Sequence, residues 1–381
     1  QTPASALLQQ RSKTLLQNRG KKRAQVAQNG TESGAMGVTI EDVARRAGVS
    51  ASTVSRTLNN KGRISAETRR RVIEAARELE YPVSADAGLS RRRTNRIGIL
   101  FDRRLHSLVA DPFYGLVMVG VEEWLRDEGY QVFFSTFSDR EADMAMISEF
   151  AAERPVDGLI MAGCDIDLDC IRKAVFMGMP LVLVDNNIVE PKVPCVMTDN
   201  TAGAREAVEH LISLGHEEIG FVSGPMTHSS LYERYQGYRQ AMEANGLLVR
   251  SDMVIAYEDV ADYDVNGGYK AAERLLKRSP RPTAIFAGND SMAIGVMKAA
   301  QELGLVVPDD LSVVGFDDIE LAAHTTPALT TVRVHKRELG YHAARLLLES
   351  IDGDPDRIPY KIAVCTELIV RESTCPRRLD A

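Results

Sequence analysis

The chain has 381 residues, too many for one compact domain of usual size, so two or three are expected. Its hydrophobic content of 44% and charged content of 26% are those of a soluble globular protein, and its five cysteines (Cys164, Cys170, Cys195, Cys365, Cys375) lack the C-x-x-C spacing of a zinc site. A net charge of −7 speaks against nucleic acid, but residues 1–96 carry 19 Lys+Arg against 8 Asp+Glu and the remainder 27 against 45, so a basic end of +11 sits on an acidic body of −18.

Residues 1–36, rich in Gln, Ser, Ala and Lys/Arg, read as a disordered basic tail that could add non-specific attraction to DNA. Residues 37–81 then read as a helix-turn-helix headpiece. In TIEDVARRAGVSASTVSRTLN, Thr39 caps a first helix together with Asp42, and Val43, Ala44 and Ala47 share one face. Gly48 supplies the left-handed residue that ends that helix. Ser50 caps a second helix that turns Val54 and Leu58 inward and Ser52, Thr53 and Arg56 outward. A buried α-hairpin is the plainer reading, but Ser50, Ser52, Thr53, Ser55, Arg56 and Asn59 make that helix too polar for a core. It suits the major groove instead. Ser65 caps a third helix whose apolar stripe is Val72, Ile73, Ala76 and Leu79.

Residues 82–96 form a hinge or linker in which Pro82 stops the third helix and Arg91, Arg92, Arg93 and Arg96 form a basic run. A plain linker explains them; the sharper reading is a segment that orders on DNA and pushes Leu89 into the minor groove. From residue 97 to 381, short apolar runs such as RIGILF, DGLIMAG and AIFAGND alternate with helical stretches in about ten units. That is too many for one sheet of common size, so two doubly wound parallel lobes are expected, with a (β/α) barrel as the rival. IAVCTELIVRE reads as the closing strand.

Ligands of such sheets sit beyond the carboxyl ends of the strands. Asp102, Asp165, Asp199, Asn289-Asp290 and Asp317-Asp318 stand there, Arg234 lies early in a helix, and Tyr263 lies in a loop. Carboxylates, an amide, a guanidinium and an aromatic suit a polyhydroxylated ligand. The competing reading makes these Asp and Asn residues helix N-caps, Asp290 and Asp318 above all. No GxGxxG follows a strand, no P-loop or GxSxG occurs, and the seven histidines have no metal spacing, so an enzyme, a cofactor and a metal are not expected. With no run of eighteen apolar residues and no signal-peptide pattern, the expected location is the cytoplasm.

From about residue 38 to about 372 the chain resembles the lactose/galactose-repressor family of transcription regulators. The resemblance rests on TIEDVARRAGVSASTVSRTLN, ISAETRRRVIEAARELEYP, DNTAGAREAVEHLISLGHEEIGFVSGP, ERYQGYRQAM, PTAIFAGND, VPDDLSVVGFDD and LTTVR. It implies an α-helical helix-turn-helix headpiece, a hinge helix and a two-lobed core like periplasmic sugar-binding proteins. It also implies a homodimer on a pseudo-palindromic operator, without membrane association, that responds to a small effector, here expected to be a sugar with a purine or nucleoside as the alternative. Thr39, Ser50, Ala51, Ser52, Thr53, Arg56, Asn59 and Leu89 are carried over as DNA-binding residues. Arg234, Asn289 and Asp317 fall at polar effector positions, Tyr263 at a stacking position, and Phe113 and Tyr114 on the pocket wall. The chain departs from the family where Tyr81 adjoins Pro82, where Asp86 replaces a small residue, and where Gly88 precedes Leu89. A carboxylate repels phosphates and glycine costs up to about 1 kcal/mol of helix propensity, so this hinge is expected to fold less readily. The rivals are a cytosolic sensor with weak or lost DNA binding, an activator, and a protein that binds DNA better with its ligand.

Overall fold

The computed structural model describes residues 39–58, 64–79, 81, 93–101, 112–137, 140–153, 155–163, 166–188, 190–256, 263–353 and 358–377. Expectations for the tail, for most of the hinge, and for Asn59, Leu89, Asp102 and Asp165 lie outside these residues. The chain divides into two compact units, Gln1–Ser90 and Arg91–Ala381.

The first unit contains helices α1 (Ile40–Ala47), α2 (Ala51–Leu58) and α3 (Ala66–Glu78). Each begins on the cap its sequence offers. The Asp42 N–H donates to Thr39 Oγ1 at 3.4 Å and the Thr39 N–H donates back to Asp42 Oδ2 at 3.0 Å. Those bonds hold the Asp42 carboxyl below its ordinary range. Ser50 Oγ accepts from the Thr53 N–H at 3.1 Å, and Ser65 Oγ from the Thr68 N–H at 3.2 Å. Gly48, at φ 67°, closes α1, and the Arg71 guanidinium covers the carbonyl of Ala47 at 2.7 Å. Val43, Ala44, Ala47, Val54, Val72, Ala75 and Ala76 form the small core. Among the positions of α2 whose burial is described, Val54 and Thr57 are buried, and the Thr57 hydroxyl is satisfied by donating to the Thr53 carbonyl at 2.7 Å; the expected inward position of Leu58 lies outside them.

The second unit contains two six-stranded sheets. The chain runs β1 (Arg96–Phe101), α4 (Pro112–Asp127), β2 (Gln131–Thr136), α5 (Arg140–Glu153), β3 (Gly158–Ala162), α6 (Leu168–Phe176), β4 (Leu181–Val184) and β5 (Cys195–Thr198). It continues through α7 (Asn200–Ser213), β6 (Ile219–Ser223), α8 (Ser229–Ala244), β7 (Val254–Ala256), α9 (Val265–Leu276), β8 (Ala284–Ala287), α10 (Asp290–Glu302), β9 (Ser312–Asp317) and β10 (Thr330–Arg333). It ends with α11 (Lys336–Asp352), β11 (Lys361–Val364) and β12 (Glu367–Ile369). The first sheet has the order β11-β5-β4-β3-β1-β2 and is parallel throughout. The second has the order β12-β10-β9-β8-β6-β7 and is parallel except where β12 runs against β10. Two sheets exclude the barrel. Strands β3, β4, β5, β6, β8 and β9 are buried along their whole length, as unbroken apolar runs covered on both faces must be. No helix among the described residues is long and apolar enough to cross a membrane.

The chain crosses between the lobes three times: at Asp199 between β5 and α7, at Val334-His335 between β10 and α11, and at Cys365-Thr366 between β11 and β12. The last crossing corrects the expectation of one closing strand. IAVCTELIV keeps one β pattern, but Lys361–Val364 pairs with β5 in the first sheet and Glu367–Ile369 with β10 in the second. After the second crossing, α11 returns to the first lobe and packs on α4 so closely that a Cβ on Gly120 would lie 2.1 Å from the Arg337 carbonyl oxygen. Glycine is required there by the close approach of two backbones.

Candidate functional site

Helix α2 turns Ser52 and Arg56 to solvent and keeps Thr57 buried. Ser50, Ser52 and Arg56 are exposed, Ala51, Thr53 and Ser55 are half-buried, and Thr39 at the head of α1 is exposed. Ser52 and Arg56, four residues apart, share one face. The Ser50 hydroxyl already accepts from the Thr53 N–H and lies 2.9 Å from Ser52 Oγ and 2.8 Å from Thr53 Oγ1, so the start of this helix is held rigid. The face offers hydroxyls and one guanidinium, which are donors suited to base edges and phosphates.

The second group of polar residues gathers at the carboxyl ends of the strands. Arg234, in the second turn of α8, is 3% exposed. Its Nε donates to Asn200 Oδ1 at 2.9 Å, one terminal nitrogen donates to the Gly288 carbonyl at 2.6 Å, and the other meets Asp317 Oδ1 at 3.1 Å. Its plane lies 3.8 Å from the centre of the Phe316 ring. Burial opposes the charge on Arg234, but Asp317, Tyr263 and Asp185 outweigh it and raise its pKa. Asn289 serves two purposes: its Oδ1 caps α10 by accepting from the Met292 N–H at 2.7 Å, and its Nδ2 donates to the Tyr263 carbonyl at 3.4 Å. The Tyr263 ring fits because Gly224 has no Cβ, which would stand 2.7 Å from the ring. Burial pushes the Tyr263 phenol up.

The first lobe adds Phe113 and Tyr114, both buried at the start of α4. The Tyr114 hydroxyl donates to Asp185 Oδ2 at 2.8 Å, and Ser230 Oγ, from the second lobe, donates to Asp185 Oδ1 at 2.5 Å. Asp185 thus joins the two lobes. The structure therefore brings together Arg234, Asn289, Tyr263 and Asp317, with Phe113 and Tyr114 beside Asp185 and Lys336. Asp199 is not in that group as a free carboxylate, since it caps α7 by accepting from the Ala202 N–H at 3.1 Å.

The competing reading of Asp290 and Asp318 as helix caps does not describe their contacts. Asp290 is fully buried and accepts from Thr331 Oγ1 at 2.5 Å and from the Ile319 N–H at 2.8 Å; burial, then the neighbouring Asp317, pushes its carboxyl up to about 8. Asp318 accepts from Arg371 at 2.6 Å and from Arg333 Nε at 2.7 Å. Burial works against its charge, but these two guanidinium groups hold its carboxyl below the ordinary range. Asp185, Ser230 and Lys336 are polar residues of the site that the sequence reading passed over. Asp185 follows the LVLV strand and the strand-end rule could have found it; nothing local marks Lys336 within HKREL.

Such a cluster, with several acceptors, an amide and aromatic walls, can hold a small polar molecule and contains no nucleophile–base pair. Comparison with known proteins agrees. Residues 39–83 match the model of bacterial regulatory proteins of the lacI family, and residues 208–374 match that of periplasmic binding protein-like domains. The chain is 33% identical over 341 residues to the HTH-type transcriptional repressor PurR of Photobacterium profundum, covering 88% of this chain and 98% of that one. Among solved structures it is similar to a transcriptional regulator CelR–cellobiose complex, at 32% identity, 88% and 99% coverage of the two chains, and a TM-score of 0.68. It is also similar to the Lac repressor dimer bound to operator and the anti-inducer ONPF, at 30% identity, 89% and 99% coverage, and a TM-score of 0.65. With a helix-turn-helix that bares its polar face and a two-lobed periplasmic-binding-protein-like core, this chain belongs to the LacI family and is a transcriptional repressor with a ligand-binding core rather than an enzyme.

Proposed function

We propose that the protein acts as a homodimer on a pseudo-palindromic operator and that a sugar bound between the lobes sets its affinity for that operator. The observation that carries this reading is the Arg234–Asp317 pair beside Asp185, which is bonded to Tyr114 of one lobe and Ser230 of the other. Sugar hydroxyls can take the places of these protein partners one for one, and Tyr263 offers a face for the ring. A ligand that competes for Asp185 changes what joins the lobes, and so gains a differential affinity for two lobe arrangements. The structures of CelR with cellobiose and of the Lac repressor dimer on operator support the two halves of the proposal by likeness. On the DNA side, Ser50, Ala51, Ser52, Thr53 and Arg56 read bases or phosphates, with Arg56 best suited to guanine.

The test is selection of random duplexes on the purified full chain at about 150 mM salt, where non-specific phosphate binding is weak. A pseudo-palindrome is the expected product. Repeating the selection with pooled sugars, and separately with pooled purines and nucleosides, identifies the effector class by loss of enrichment; loss with the purine pool alone would overturn the sugar assignment. No enrichment under any condition would overturn operator reading.

A further inference from the structure

The Asp317-Asp318 step has a geometry that its position in an effector cleft does not require. Both residues have positive φ, 107° and 52°, which side-chain-bearing residues seldom adopt and which persists only where surroundings enforce it. Four sets of contacts do so. The Asp317 carboxylate is held by Arg234 inside the cleft. The Asp317 carbonyl accepts from Lys336 Nζ, and the Asp318 carbonyl accepts from the same ammonium at 3.2 Å. The Val334 N–H, on the second crossing, is directed at the Asp317 carbonyl at 3.5 Å. Finally, the Asp318 carboxylate is clamped between Arg333, the last residue of β10, and Arg371, two residues past β12.

Arg333 ends the strand before the second crossing, and Arg371 follows the strand after the third. Arg333 also meets Glu367 at 3.0 Å, its direct antiparallel partner across β10 and β12. One strained dipeptide therefore has its first side chain in the cleft, both carbonyls on the lysine that opens α11, and its second side chain on two arginines that flank the second and third crossings. The first crossing, at Asp199, meets this network only indirectly, through Asn200, which accepts from Arg234 Nε at 2.9 Å, and through the Asp199 N–H, which donates to the Val364 carbonyl at 2.9 Å.

We infer that Asp318 and Lys336 are positioning residues that couple the cleft to two of the three lobe crossings, through the strained Asp317-Asp318 step. This rests on the reading of the cleft as the effector site and adds the route by which occupancy leaves it. A ligand that takes the Arg234 guanidinium or the Asp317 carboxylate removes one of the contacts that enforce the positive φ pair. The step then relaxes, the carbonyls turn from Lys336, and the Asp318 clamp on Arg333 and Arg371 loosens. The cleft is thereby read out at Val334-His335 and Cys365-Thr366.

The experiment is amide hydrogen exchange on the full chain, wild type against Asp317→Asn and Asp318→Asn. Asparagine keeps the shape and tolerates a left-handed backbone, so each variant removes charge and little else. Both variants are expected to speed exchange severalfold in residues 330–338 and 361–371 while leaving β3, residues 158–162, at the wild-type rate. For Asp317→Asn, a change confined to α8 and the neighbours of Arg234 would overturn the coupling, and so would a uniform rise across the core or no change at all. For Asp318→Asn, acceleration that includes residues 158–162 equally would do the same. Because neither DNA nor a ligand enters this measurement, its failure is separable from failure to find an operator or an effector.

Discussion

The headpiece and the cleft use the same kinds of polar side chain in opposite ways. In the headpiece the capping hydroxyls are satisfied three residues away, as Ser50 is by Thr53 and Ser65 by Thr68, and Arg56 is left exposed to solvent. In the cleft Arg234 is buried, and its partners Asn200 and Gly288 lie 34 and 54 residues away in the chain. The first arrangement is rigid and outward, suited to a polyanion whose position is fixed by its own helix. The second is an internal set of bonds whose members can be exchanged for those of a ligand. Local caps thus build a surface that reads, and distant pairs build a site that responds.

The comparison is broken most severely at Arg234. Arg234→Ala leaves Asp317 buried without its cation and removes the donors to Asn200 and Gly288, so a loss of about 3–5 kcal/mol of core stability is expected. Chemical denaturation of the core measures it. Adding Asp317→Asn should recover a good part of that loss, since the penalty is that of an orphaned charge; no recovery would mean that packing on Phe316 carries the effect. In the fraction that stays folded, operator binding should persist while the response to the effector disappears.

A second test uses the proton on Asp290. Its carboxyl is raised from 3.8 to about 8, so between those values the folded protein holds a proton that the unfolded chain has released. The stability tied to that proton is fully present below 3.8 and is lost as pH rises through about 8. Asp290→Asn can keep both contacts, accepting from the Ile319 N–H and donating to Thr331 Oγ1, and it has no proton to lose. Thermal unfolding of the two proteins across this window should show the variant gaining on wild type as pH rises. Parallel curves would place the titration elsewhere.

Arg56→Ala sharpens the outward half of the contrast. Removing one bidentate donor is expected to cost about 1–3 kcal/mol of discrimination at one base pair, read as relaxed preference at that position in the duplex selection. A uniform loss across all sequences would make Arg56 a phosphate contact instead. Headpiece stability should be unchanged, because the side chain is exposed.

The same difference explains what could be read from the sequence. All three headpiece caps were legible because cap and capped N–H are neighbours in the chain: Thr39 with Asp42, Ser50 with Thr53, Ser65 with Thr68. The alternation of buried strands with helices was legible for the same reason. The break at Cys365-Thr366 was not, because β11 and β12 differ only in which distant strand each pairs with. Asp290 and Asp318 looked like caps because the sequence shows their strand-end position and hides Thr331, Arg333 and Arg371. Asp185 was within reach of the strand-end rule, whereas Lys336 becomes visible only when α11 is placed against β9.

The smallest effect, and the finest test of the headpiece, lies at Ser50. Its hydroxyl caps α2 and also falls at a position assigned to DNA contact, so Ser50→Ala alone cannot tell the two apart. Loss of the cap costs typically about 1 kcal/mol with alanine and only a few tenths with glycine. If Ser50 acts on DNA through the cap, operator affinity should fall with Ser50→Ala and largely return with Ser50→Gly, in step with the thermal stability of the headpiece. If the hydroxyl touches DNA, both variants should lose affinity equally while their stabilities differ. Fluorescence anisotropy on the selected duplex, beside unfolding of the same samples, separates these. The 3.1 Å bond to Thr53 and the contacts of 2.8 and 2.9 Å to Thr53 Oγ1 and Ser52 Oγ use up much of what one hydroxyl can offer, so affinity is expected to follow stability.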